Sequence, residues 1–379
     1  MKIGLLVGNA GRNSGGPEIY ETNLLRSLLS LDHSNEYHVY CLDRRAPDVV
    51  GIRKENLQYH QLWPKYRPVS LLTSLPWKML RHRVDVFHAT FVPPPLALRN
   101  YIFTLVCFGM FRHPEFYPPP IRIRVQALMR LGARNAGRFL CVSKNVRDHY
   151  AERFHIPEDR LAVVYMGKSE IFHPIDDGEK RRFLKETYGI DQPYFLFSGR
   201  WEKRKNILGI LEAFAQVKEE AQIPHKLVLT GSRTWAAREA ESLIERLGLH
   251  PHIVDVGKSP ISHLPYLYGG ADALVYASFW EGFGMPIIEA MACGTPVITS
   301  NVSSMPEVAG DSALLVDPYS IEDIASAMYE LAVNPMHRAQ LSAKGLARAT
   351  QFSWEITAQR TLSEYGRFLT VNSPNRKII

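Results

Sequence analysis

Two glutamates in one glycine-punctuated segment carry the most specific chemistry in this sequence. Residues 278–297 place Glu281 ahead of Gly282, Phe283 and Gly284, put Pro286 at a helix start, and set Glu289 among Ile287, Ile288, Ala290 and Met291. Gly294 stops that helix and another apolar run follows from Val297. Glu289 lies near the first turn, where the helix dipole favours a carboxylate, so a structural role is open to it. It also sits in a run that must be buried, and a buried carboxylate needs partners. A sugar or ribose diol offers two O–H donors. Glu281 precedes backbone N–H groups of Gly282–Gly284 that suit hydroxyls or phosphate.

Two further loops have anion chemistry. After the apolar run Tyr194 to Phe197 come Arg200, Lys203, Arg204 and Lys205. Cations at a strand's carboxyl end suit a phosphorylated ligand, which Arg clamps bidentately and Lys meets as a point charge. Position favours Arg200 and Lys205 as ligands, with Lys203 and Arg204 facing solvent. After Ile3 to Val7, Ser14-Gly15-Gly16-Pro17 opens a helical pattern. Such a start presents unpaired N–H groups to an anion, though a plain glycine turn closed by proline reads equally well. Gly231, and Gly257 with Lys258, each follow a strand-like run and are candidates for a nucleotide. His88 ends another such run; it is either a structural histidine or a catalytic one.

The elements that must hold these loops are short apolar runs alternating with helical patterns through both halves of the chain. That alternation implies parallel βαβ units, hence an α/β protein with two doubly wound, Rossmann-like domains. Ligands of such sheets bind at the carboxyl ends of the strands, which puts the site in an interdomain cleft. The polar stretch from Phe172 to Gln192 marks the boundary. The expected domains are residues 1–170 on the acceptor side, 171–350 for the nucleotide, and a helix in 351–379 that crosses back to the first.

With 379 residues, 46% hydrophobic and 22% charged, the chain is globular rather than disordered or fibrous. Its longest nearly uncharged apolar stretch, Tyr101 to Phe111, is too short to cross a bilayer, so the expectation is a cytoplasmic protein. Cys41, Cys107, Cys141 and Cys293 form neither a disulfide framework nor a zinc spacing. The net charge of +7 is uneven: residues 1–168 hold 24 Lys and Arg against 13 Asp and Glu, so the basic surface belongs to the first half.

Gly15-Gly16, Arg200 with Lys205, and Glu281 with Glu289 occur in the order and setting of glycosyltransferase family 4, which this chain resembles over most of its length. The resemblance implies GT-B architecture and a retaining, metal-independent enzyme that uses a nucleotide-diphosphate sugar. No cofactor is expected, and no Asp-any-Asp metal motif occurs. It further implies that Arg200 and Lys205 stabilise the departing diphosphate, that Glu289 holds the ribose, that Glu281 and the Gly282-Phe283-Gly284 backbone hold the sugar, and that Gly16 contacts the diphosphate. Arg112-His113-Pro114-Glu115 resembles the mannosyltransferase-like branch, which points to GDP-mannose.

The chain departs from the family where many relatives carry a histidine facing the donor sugar: it has Val106 and Cys107 there. His88 and His113 are the possible substitutes. Two alternatives follow, a non-catalytic sugar-nucleotide-binding partner subunit and a GT-B sugar-nucleotide epimerase. On the acceptor side, Arg122, Arg124, Arg130 and Arg134 interleave with Ile121, Val125, Leu128 and Met129 as a basic amphipathic helix. Either it rests on anionic lipid at the inner face of a membrane, which favours a lipid-linked saccharide acceptor for cell-surface polysaccharide or O-antigen, or it is a domain helix with a basic outer face. Trp63, Tyr66 and Trp77 lie in proline-bordered loops, where they stack on sugars or pack. Nucleic acid is not expected as a partner.

Overall fold

Runs such as Tyr194–Ser198 and Val86–Thr90 are buried at every position. That is the signature of strands covered on both faces by helices, and it dictates parallel sheets. The computed structural model describes residues 1–12, 15–91, 93–94 and 101–372. They form two units: residues 1–167 with the segment from 353 onward, and residues 168–352.

The first unit holds seven parallel strands: β1 (Lys2–Val7), β2 (Glu36–Cys41), β3 (Leu57–Gln61), β4 (Val86–Thr90), β5 (Ile102–Leu105), β6 (Arg138–Cys141) and β7 (Leu161–Val163). Their order is β3-β2-β1-β4-β5-β6-β7. The helix Gly16–Leu31 follows β1 and buries Leu24, Leu25, Leu28 and Leu29 at helical spacing. The helix Trp354–Asn372 packs beside it, bringing Tyr365 into the core of this unit. Ser14 lies outside the described residues, as does the tail 373–379.

The second unit holds six: β8 (Tyr194–Ser198), β9 (Lys226–Thr230), β10 (Ile253–Gly257), β11 (Ala273–Tyr276), β12 (Val297–Ser300) and β13 (Leu314–Val316). They are ordered β10-β9-β8-β11-β12-β13. Its core runs from Phe195 and Phe197 through Ile210, Leu211 and Phe214 to Ile324 and Met328. In each sheet the winding reverses once, between β1 and β4 and between β8 and β11. Loops on either side of a reversal diverge and leave a crevice at the carboxyl ends of the strands.

Gly167 shows how tightly the last helix is docked: a Cβ there would lie 2.1 Å from the Trp354 backbone nitrogen. Gly366, inside that helix, has nothing within 4 Å of the same position. Gly167→Ala is expected to cost about 2 kcal/mol or more through overpacking. Gly366→Ala is expected to add about 0.5–1 kcal/mol by helix propensity. Urea unfolding of the two variants checks the opposite signs.

Candidate active site

At the reversal point of the second sheet, β8 and β11 lie side by side, with Phe195 level with Ala273. After β8 the chain makes a 3-10 turn at Lys203–Lys205 and passes through Asn206 at φ +55° into the helix Ile207–Ala221. Asn206 tolerates the left-handed conformation, and its Nδ2 is anchored on the Pro318 carbonyl at 2.7 Å. This turn directs Arg204 and Lys205 toward the end of β11.

There Lys205 Nζ lies 2.6 Å from Glu281 Oε1 and also donates to the Tyr276 hydroxyl. Arg204 Nη1 lies 2.7 Å from the same carboxylate oxygen and donates to the Trp280 carbonyl at 2.7 Å. The Glu281 backbone is fixed in turn: its N–H donates to Ser303 Oγ at 3.1 Å, and its carbonyl accepts from Ser304 Oγ at 3.0 Å. Glu281 is 8% exposed. Burial alone pushes its carboxyl up, but the charges and hydrogen bonds of Arg204 and Lys205 overcome this and hold it at about 2. Lys205 shows the reverse balance, with burial lowering its ammonium against the opposing pull of Glu281. Arg204 therefore faces inward, which corrects the reading of it as a solvent-facing cation. Lys203 is exposed as expected.

Arg200 points outward, its side chain 59% exposed, with Nη2 held 2.6 Å from Glu202 Oε1. Glu202 is buried beneath it and also faces Arg204 at 3.5 Å. Beside this loop three strand ends are drawn together. Gly199 N–H donates to the Thr230 carbonyl at 2.9 Å, and Gly231 N–H to the Gly257 carbonyl at 2.8 Å. Gly231 has φ +138°, and a Cβ on it would stand 1.9 Å from the Gly199 carbonyl oxygen, so only glycine fits. Lys258 is exposed next to Gly257.

Glu289 is the fifth residue of the helix Met285–Ala292, which starts from Gly284 at φ +102°. Gly282, Phe283 and Gly284 are buried beside Glu281. The Glu289 carboxylate accepts from the Tyr268 hydroxyl at 3.0 Å, which is also 2.9 Å from Ser198 Oγ. Burial raises Glu289 to about 7, against the lowering effects of Tyr268 and the nearby Lys205. A ligand diol would supply the donors that favour its ionised form.

In the first unit, Gly15 at φ +71° and Gly16 open the helix Gly16–Leu31, with free space where their side chains would be. Beneath this loop Glu21 is buried against Asn9 N, Asn9 Nδ2 and Thr90 Oγ1 at 2.6 to 2.7 Å. Burial lifts it to about 7. Arg67 lies over Gly8, its Nε and Nη2 buried without a hydrogen-bond partner.

His88 is corrected outright as a catalytic candidate. It is fully buried, with Nδ1 2.7 Å from the Tyr365 hydroxyl and Nε2 2.6 Å from Thr104 Oγ1. Burial depresses its imidazole to about 3, so it is a neutral core residue with both nitrogens engaged. His113 pairs with Glu115 at 3.0 Å, Val106 is half-buried after β5, and Cys107 is exposed. Neither Arg204, Tyr276 and Tyr268 nor Arg67 and Glu21 stood out in the sequence. Arg204 was hidden in a charge run; Tyr276 lies in an apolar run, Arg67 in a proline-bordered stretch, Glu21 inside the helix that follows Gly15, and Tyr268 in the helix before β11.

The description "Glycosyl transferases group 1" matches residues 180–348, and "Glycosyltransferase Family 4" matches residues 14–167. The chain is 33% identical over 290 residues to O-antigen chain mannosyltransferase B of Escherichia coli, covering 76% of each. It is 28% identical over 237 residues to the serotype-specific mannosyltransferase WbdA of Escherichia coli, covering 62% of this chain but only 29% of that relative. In three dimensions it resembles Anabaena HepE, solved with UDP and glucose, at a TM-score of 0.77 and 18% identity, covering 97% of this chain and 100% of that one.

Because Glu289 binds its proton more tightly folded than unfolded, its contribution to stability is complete below pH 4.5 and is lost as pH rises through about 7. Glu289→Gln keeps the shape and removes the charge. Between pH 4.5 and 8 the unliganded wild type is expected to lose about 3 kcal/mol relative to this variant. Denaturant unfolding of both proteins across that range measures the difference.

Proposed function

The chain belongs to glycosyltransferase family 4, the group 1 glycosyltransferases, and we propose that it moves mannose from GDP-mannose to a saccharide acceptor in the synthesis of O-antigen or a related cell-surface polysaccharide. The observation that carries this reading is the buried Lys205–Glu281 pair at the β8/β11 reversal, next to the outward-reaching Arg200. Support for mannose comes from the two relatives named as mannosyltransferases.

In this reading Arg200 and Lys205 face the diphosphate and stabilise the charge that builds as it departs, a role that removes the need for a divalent ion. Glu289 accepts the ribose hydroxyls. Glu281 fixes Lys205, and the Gly282-Phe283-Gly284 backbone meets the sugar. Gly231, Gly257 and Lys258 border the nucleotide, and Gly15 and Gly16 supply N–H groups to the diphosphate. The bond between the anomeric carbon and the phosphate oxygen breaks while the acceptor oxygen bonds to the same face. The acceptor proton passes to the leaving diphosphate, so the configuration is retained and His88 is not required.

The acceptor is a lipid-linked saccharide, and the first unit meets the anionic membrane that carries it. The support is a surface with two parts. In residues 63–80, Trp63, Tyr66, Leu72, Trp77 and Leu80 are 75%, 67%, 44%, 57% and 61% exposed. Lys65, Lys78, Arg81 and Arg83 accompany them, with no Asp or Glu between Gln61 and Asp85. The helix Pro119–Asn135 adds exposed Ile121 and Ile123 among its arginines. Aromatic rings at headgroup level with cations around them suit an interface. No helix among the described residues is long and apolar enough to cross a membrane.

Lys205→Ala and Arg200→Ala are expected to lower kcat at least ~100-fold with GDP-mannose and a lipid-linked acceptor, in proteins that keep the wild-type circular dichroism. Activity within threefold of wild type in both, or a different nucleotide sugar as the only donor used, sinks the assignment. Separately, the wild type is expected to sediment with phosphatidylglycerol vesicles and not with phosphatidylcholine alone. Replacing Trp63, Trp77 and Leu80 together by Ser is expected to weaken that binding ~tenfold or more.

A further inference from the structure

Three histidines that are far apart in sequence meet on one face of the first sheet. His38 is on β2, His60 on β3, and His82 ends the helix Ser74–His82. Gly4 of β1 is level with His38, and a Cβ on it would press on Phe87 at 3.1 Å and on Tyr40 and Val84 at 3.2 Å. One ligand nitrogen from each histidine can be chosen so that all three lie within 4.8 Å of one another.

From this convergence we propose that His38, His60 and His82 form a binding site for one divalent transition-metal ion of the zinc class. His38 Nδ1 and His60 Nε2 are 2.8 Å apart in rings only 11° from coplanar. Two neutral imidazoles hold that spacing only by placing one N–H between them, and a metal ion can take the place of that proton. Surrounding groups set the other nitrogens. Glu36 Oε1 stands 3.0 Å from His38 Nε2, which favours its N–H there and leaves the lone pair on Nδ1. The Tyr40 hydroxyl is 3.1 Å from His82 Nδ1, leaving Nε2 of that ring for an ion. A carboxylate or hydroxyl behind a ligating imidazole is the usual outer support of a metal site.

Burial lowers the proton affinity of all three rings, His60 down to about 4, though Glu36 works against this at His38. Three imidazoles and no thiolate suit Zn²⁺, Co²⁺ or Ni²⁺. At a metal–nitrogen distance of about 2.1 Å, tetrahedral ligands stand about 3.4 Å apart, so His82 must turn inward from its stack on His60. It can do so because it is the last residue of its helix, before Arg83 in the left-handed conformation. His60 and His82 are half-buried, which leaves the fourth position to water. The ion would tie β2 and the edge strand β3 to the helix Ser74–His82.

The site is independent of the transfer reading, and its test needs no activity. EDTA-stripped full-length protein is titrated with Co²⁺ alone. Saturable 1:1 binding with the visible bands of tetrahedral cobalt is expected, displaced by Zn²⁺. Zinc at 100-fold over its dissociation constant is expected to raise the melting temperature by about 5 °C or more. His60→Ala and His82→Ala should abolish both effects, whereas His113→Ala should not. Zinc should also shield His60 and His82 from diethyl pyrocarbonate in the wild type, read by peptide mass spectrometry, which needs no variant to fold. Absence of 1:1 cobalt binding below about 10 μM overturns the proposal, as does unchanged labelling of those two histidines in zinc.

Discussion

The carboxylate of Glu281 is the point on which the second unit's chemistry turns. A lysine and an arginine, both half-buried, converge on one of its oxygens. Without that negative charge Lys205 would lose its carboxylate partner and Arg204 would keep only Glu202, a costly arrangement for cations so little exposed to water. With it, Lys205 stays at the carboxyl end of β8 even though burial works against its charge. The two serines that fix the Glu281 backbone, the left-handed Asn206 and the proline-led helix after Gly284 all serve this geometry. The same carboxylate that a sequence reading assigns to sugar binding is thus already committed to holding cations.

The sheets were legible because parallel strands buried on both faces leave continuous apolar runs, and the alternation with helices admits one fold class. Glu281 and Glu289 were legible because glycine and proline punctuation brackets them. Arg204 was not, since its inward course depends on a 3-10 turn that a run of charges does not announce. His88 misled for a different reason. The sequence puts it at a strand end, where ligands bind, but it sits in the middle of β4; its partners are Thr104 on the next strand and Tyr365, 277 residues further along the chain, and no local pattern encodes either contact. His38, His60 and His82 are likewise separated by ordinary sequence and meet only through strand register and a helix end.

Glycine has two separate tasks in this chain. At Gly231 the constraint is steric, because two strand ends approach so closely that a single methyl group is excluded. At Gly15 and Gly16 the space is open, and the missing side chains leave backbone N–H groups uncovered at a helix start. The first kind stabilises the fold around a site and the second leaves room for a ligand. A motif search treats them alike; the distances separate them.

The return of the helix Trp354–Asn372 to the first unit bears on how the chain is made. The second unit is one uninterrupted stretch, residues 168–352, and all of it is synthesised before Tyr365. The first unit begins earlier yet lacks the ring that closes over His88 until that late helix arrives. Synthesis order and completion order are therefore reversed: the portion made first is the last to gain its full core, and through the intervening time it presents an unfilled apolar face beside the helix Gly16–Leu31 to whatever chaperone attends the nascent chain.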